Sequence, residues 1–240
     1  MTTYAAAHPR PQAGPRPLRP LPLWQAVVLF AVPAVGLALA VYWLWPVLTD
    51  LGLPAIDARY WASTAFMAAL LAAALAAYAL EGNPLNWTAF IARYRLQTPD
   101  RRVWLWAGGG FLVMGLLSLP AQLLLPAVYQ WLNFTPPEAY VDARPALWLA
   151  LFNLTINVLG EELWWRGFIL PRQELTHGRL AWLIHGVLWA LFHSYKWWVV
   201  PAMLITCQVI PFVCQRTKNT WPGLLIHFAL NGISVLLSNL

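Results

Sequence analysis

The chain has 240 residues, 60% of them hydrophobic and only 10% charged, with a formal net charge of +6. Soluble domains carry about 25% charged residues, so an ordinary soluble domain is excluded. The basic excess does not point to nucleic acid, because the Lys and Arg residues sit at the ends of hydrophobic runs, where many of the sixteen Trp residues also lie, as in an interfacial aromatic belt.

Residues 1–22 hold Pro9, Pro11, Pro15, Pro17, Pro20 and Pro22 together with Arg10, Arg16 and Arg19. This composition predicts a disordered, basic cytoplasmic tail. It is not a signal peptide, since the apolar run that follows is too long and no small-residue cleavage site is evident. Seven spans are predicted, at 23–48, 60–80, 103–131, 145–170, 180–196, 197–215 and 220–240, and they define an all-α, polytopic transmembrane helical bundle. The second span is rich in Ala, which lets helices approach closely in lipid. The third carries Gly108, Gly109, Gly110, Pro120 and Pro126, which predict a kink. Cys207 and Cys214 lie seven residues apart in one predicted helix, about 10 Å, too far for a disulfide.

Lys and Arg set the orientation. With the N-terminus inside, twelve cations fall on the inner side and three, Arg59, Arg144 and Lys196, on the outer side. This places Glu161 and Glu162 in the cytoplasmic half of the fourth span and the C-terminus outside. It predicts an integral protein of a bacterial inner membrane, N-terminus cytoplasmic.

The segment Gly160 to Gly167 places two carboxylates and a guanidinium within an otherwise apolar run. Each such charge costs at least about 2.5–3.5 kcal/mol in a span and calls for a task. On a helix, residues i and i+4 share a face. Asn153, Asn157 and Glu161 therefore form one stripe, and Glu162 with Arg166 forms a second. His193 closes Trp189 to His193 in the fifth span. In the seventh span His227 and Asn231 point the same way, continued by Ser234 and Ser238. Three helices each with a polar face in lipid should converge on one interior cavity. Glu162 has Arg166 as a counter-ion one turn away. Glu161 has no sequence-local cation and is the candidate general base for a water, with His193 sharing or orienting that water. His227 and Asn231 are donors able to stabilise an oxyanion. Together these groups suit amide hydrolysis without a covalent nucleophile. Asn153 and Asn157 are expected to hydrogen-bond between helices, and His185 to be a packing histidine.

At these residues the chain resembles the CPBP family, the CAAX-prenyl protease and bacteriocin-processing group also called Abi, which includes the Rce1-type CAAX endopeptidases. The first motif is Glu161-Glu162-Leu163-Trp164-Trp165-Arg166-Gly167. The second is Trp189 to His193, with Trp where Phe is more usual, and the third, with its approach, runs from Thr217 to Asn231. The resemblance implies a glutamate-type intramembrane endopeptidase in which Glu161 and His193 activate water, His227 and Asn231 form the oxyanion site, and Glu162 and Arg166 support it. It divides the chain into the tail, N-terminal transmembrane helices at 23–135 and a catalytic core at 136–240. It implies a membrane-associated peptide or protein substrate, reached from bilayer or cytoplasm, and no cofactor. Two other readings fit the residues. One is a zinc peptidase using Glu161, His193 and His227. The other is a non-catalytic immunity or structural membrane protein with a polar cavity.

Overall fold

A computed structural model describes residues 14–135 and 144–239, an all-α bundle with no strand among them. Helix α1 (Leu23–Leu39) follows Pro22 and continues through a π-helical turn at Ala40–Leu44 into α2 (Trp45–Asp50). Helix α3 (Ala55–Leu80) returns. The short α4 (Trp87–Arg93) is capped by Asn86, whose Oδ1 accepts from the Ala89 N–H at 2.8 Å. Asp100 caps α5 (Arg101–Trp131) in the same way through Val103. These side chains satisfy backbone donors that the first helical turn leaves open. Helix α5 is continuous through Pro120 and Pro126. Helix α6 (Leu147–Glu162) passes through a π-helical stretch, Leu163–Ile169, into α7 (Leu170–His177). Then come α8 (Ala181–Phe192), a 3₁₀ segment at Ser194–Val199, α9 (Val200–Thr206), α10 (Val209–Thr217) and α11 (Trp221–Asn239).

Charged contacts mark the two ends of the bundle. At one end Glu81 pairs with Arg93 and Arg172, Glu174 pairs with Arg95 and Lys218, and Arg102 donates to the Arg216 carbonyl. Arg59, Arg144 and Lys196 line one cavity at the other end. Between these ends run α1–α2, α3, α5, α6–α7, α8, α9–α10 and α11. Leu23–Asp50, Ala55–Leu80, Arg101–Trp131 and Ser194–Thr217 are long and apolar enough to cross a membrane, and Trp221–Leu237 is a shorter apolar helix.

One expectation is extended and two are corrected. The helix expected at 145–170 extends to His177, which puts Glu161 14 residues beyond Leu147 and 16 before His177. Arg172, at the charged end, lies about 16 Å beyond Glu161 and Leu147 about 21 Å before it, so Glu161 is nearer the charged end. The 12-residue α8 is only about 18 Å long, short of the roughly 30 Å hydrocarbon core. It ends at His193, and Lys196 then breaks the helix with φ −117° and ψ 57°. The predicted fifth span therefore does not cross as a helix. Finally, the end of the proline-rich tail is pinned. The Arg16 N–H donates to Asn83 Oδ1 at 2.8 Å, and Leu21 is buried with its N–H on the Arg172 carbonyl. The earlier tail residues, 1–13, lie outside the described part.

The close approach expected of the Ala-rich helix occurs against α6. A Cβ added at Gly160 would lie 2.6 Å from the Met67 carbonyl oxygen, so only glycine admits this contact. Phe30 of α1 stacks on Trp165 with centroids 4.2 Å apart. The N-terminal helices thus share one core with the polar motifs.

Candidate active site

The polar motifs meet around one indole ring. Trp189 Nε1–H donates to Glu161 Oε2 at 2.7 Å. The Arg166 guanidinium lies over the Trp189 ring, 3.6 Å from its centroid. The imidazoles of His193 and His227 lie 5.9 and 5.8 Å from the same ring. One aromatic side chain of α8 therefore touches the acids' segment of α6, its own helix terminus and α11.

The two glutamates have different surroundings. No cation among the described residues is bonded to Glu161. Its Oε2 accepts from two indoles, Trp189 and, at 3.2 Å, Trp165 one turn along its own helix. No described residue bonds its Oε1. Glu162 is fully buried, and its Oε1 accepts from His227 Nδ1 at 2.8 Å and faces Arg166 Nη1 at 3.0 Å. The pairing of Glu162 with Arg166 read from spacing is present, but Glu162 also holds His227, which spacing could not reveal. Gly223 of α11 makes this possible: a Cβ there would sit 2.2 Å from Glu162 Oε2. The π-helical stretch that begins at Leu163 carries Trp164, Trp165 and Arg166 inward, all buried. Such widened turns recur at functional sites.

His193 Nδ1 lies 2.9 Å from the Trp189 carbonyl. A carbonyl only accepts, so Nδ1 carries the proton and Nε2 of the neutral ring is an acceptor. His227 likewise turns Nδ1–H to an acceptor, the Glu162 carboxylate. Asn231, one turn beyond His227, is exposed, and its side chain hydrogen-bonds to no described residue. Ser234 is exposed as well, and the Ser238 side chain lies outside the described residues. Asn153 bridges helices as expected, donating to Thr64 Oγ1 at 2.8 Å and the Tyr60 carbonyl at 3.3 Å. His185 is buried on another face against Gln173, with 2.6 Å between Nδ1 and Oε1. Among the described residues no three His, Cys, Asp or Glu side chains converge as a metal ion requires.

Two residues escaped the sequence reading as site members. Trp165 stands four residues after Glu161, so its spacing did carry the signal. Trp189 sits on another helix, and nothing local ties it to a glutamate.

An all-helical integral membrane bundle with acids, imidazoles and a guanidinium gathered in its interior is the class this fold and site define. Comparison with known families then identifies the segment that builds the site. Residues 143–233 match the family described as type II CAAX prenyl endopeptidase, Rce1-like. The match covers less than half of the chain, and that part is similar to this family of membrane endopeptidases. No curated protein and no solved structure matches the chain.

Proposed function

We propose that the protein is an intramembrane endopeptidase of glutamate type, hydrolysing a peptide bond of a membrane-associated protein or peptide in a bacterial inner membrane. The observation that carries this reading is the Trp189-centred cluster, which gathers Glu161, His193 and His227 from three helices. In this mechanism the two indoles hold Oε2 of Glu161, leaving Oε1 to accept a proton from a water. Nε2 of His193 accepts a hydrogen bond from that water and orients it. The water oxygen attacks the scissile carbonyl as its proton passes to Glu161. His227, when its ring carries the second proton, and Asn231 donate to the oxyanion that forms. Glu161 then returns the proton to the departing amine, and the C–N bond breaks. Glu162 and Arg166 hold His227 in place. No covalent acyl-enzyme forms, and no metal is required.

The test is a comparison of new peptide termini in membrane proteins of the native host, between wild type and a chromosomal Glu161→Gln strain at matched expression. Termini present only in wild type identify the substrate and the carboxylate's role. Identical termini in the two strains would overturn the reading.

A further inference from the structure

At the arginine-rich end the starts of α5 and α8 meet the end of α10. A groove of about 510 Å³ opens there, lined by Asp100, Arg101, Arg102, Leu105 and Trp106. Its upper part is cationic. Arg101 and Arg102 are exposed, and the Arg101 guanidinium forms no ion pair with a described residue. Arg102 donates to the Arg216 carbonyl at 3.3 Å, which brings the end of α10, with the exposed Arg216, to the rim. Asp100 is the one acid among the described residues that lines the groove, and its Oδ1 accepts from the Val103 N–H at 2.8 Å.

One turn further along α5 the walls become apolar. Leu105 is 65% exposed. Trp106 meets Phe212 of α10 at 5.9 Å between ring centroids, and Phe212 meets Trp182 of α8 at 5.2 Å. Gln215 fixes this seam, accepting from the Trp182 N–H at 2.7 Å and donating to the Gly178 carbonyl at 2.8 Å. The arginines therefore stand above a braced aromatic floor. Helix α5 is long and apolar enough to cross a membrane, and Arg101 and Arg102 open it, where a span leaves the hydrocarbon. Trp106 is four residues, about 6 Å, further in.

The acids near this end leave its charge in place. Glu81 and Glu174 are each already paired with two cations. Residues 1–13 contain no acid. Glu138 is three residues from Thr135 and Asp142 two from Arg144, reaches of about 11 Å at most. Both follow the far end of α5, whose 31 residues span about 46 Å. The groove is thus net cationic above and apolar below.

We propose that this groove binds an anionic glycerophospholipid, with its phosphodiester held by Arg101 and Arg102 and an acyl chain lying along Leu105 and Trp106. Guanidinium groups present paired donors that match phosphate oxygens, and basic pockets between transmembrane helices suit lipid headgroups. A headgroup ending in glycerol leaves the phosphate charge uncompensated, whereas choline would bring an ammonium beside the arginines. Free phosphate would satisfy the arginines but leave Leu105 and Trp106 uncovered, and the lipid covers both. The site is separate from the Glu161 cluster and does not depend on the hydrolase reading.

The experiment uses the full chain in a neutral detergent, titrated with dioleoylphosphatidylglycerol or dioleoylphosphatidylcholine, and reads bound lipid per chain by native mass spectrometry. The glycerol lipid is expected to bind first and more tightly. Each arginine near a membrane surface contributes about fivefold, so Arg101→Gln combined with Arg102→Gln should weaken the first site about 25-fold. Arg101→Glu changes the charge by the same two units while leaving the Arg102 bond intact. It should have a similar effect, and it carries the test if the double variant fails to fold. Arg10→Gln with Arg19→Gln removes equal charge from the tail and should change affinity by less than about twofold. Equal affinity for the two lipids, or equal loss in the tail variant, would overturn the proposal in favour of unspecific surface charge. Displacement of the bound lipid by inorganic phosphate would reassign the groove to a soluble anion and overturn the lipid.

Discussion

Gly223→Ala puts a direct load on the Glu162 site. Gly223 lies in the first turn of α11, where by propensity Ala gains at most about 1 kcal/mol over Gly. The packing opposes this. The added Cβ would lie 2.2 Å from Glu162 Oε2, 3.1 Å from its Cδ and 3.2 Å from Cys214 Sγ. Glu162 cannot swing aside freely, because it is fully buried and held by Arg166 at 3.0 Å and His227 at 2.8 Å. Overpacking costs about 1–3 kcal/mol. Displacing one partner of a buried ion pair adds to that, up to the roughly 3–5 kcal/mol of a full break. The net expectation is a destabilisation of about 2 kcal/mol, a fall in Tm of about 4–8 °C for a chain of this length. Thermal unfolding in detergent, followed by Trp fluorescence, reads it. In a Glu162→Ala background the clash is removed, and the same substitution should then be neutral or stabilising. A Gly223→Ala protein as stable as wild type, or a penalty unchanged by Glu162→Ala, would refute the reasoning.

Trp189→Phe keeps the ring under Arg166 but removes the shorter of the two donors to Glu161. A hydrogen bond to a charged group is worth about 1.5–3 kcal/mol, so cleavage of the substrate identified in the host should fall about 10- to 100-fold. Trp165→Phe, removing the 3.2 Å bond, should cost less, measured as kcat on the same substrate. Incubation with a strong chelator should leave cleavage unchanged, whereas loss of activity restored by zinc would favour the metallopeptidase reading. Glu81→Gln should lower stability by about 1–3 kcal/mol, because Glu81 accepts from Arg93 at 2.7 Å and also from Arg172 and Asn83. Unfolding midpoints in detergent check this.

Much of the site was legible because α-helical spacing is local. Glu162 with Arg166, and Asn153, Asn157 and Glu161 on one stripe, follow from 3.6 residues per turn. The need to hide polar groups from lipid then required three such faces to converge. Which atom meets which was not legible. Spacing joined His227 to Asn231, yet His227 bonds Glu162 of another helix and Asn231 is exposed. Trp189 looked like one aromatic of a motif, and its indole N–H proved to bond Glu161. The helix end at His177 also escaped, because a π-helical stretch carries α6 into α7 with no break in the sequence to announce the extra length.

The sequence by itself determined that the chain is an all-helical membrane protein, with charge biased to one end and with polar faces on particular helices. Composition and period encode those properties residue by residue. Only the tertiary structure decided that Glu162 takes His227, that the Trp189 indole holds Glu161, and that a cavity lies at the cation-poor end. These depend on contacts between residues 28 to 65 or more positions apart, and on glycines such as Gly160 and Gly223 whose missing side chains matter only once another helix lies against them.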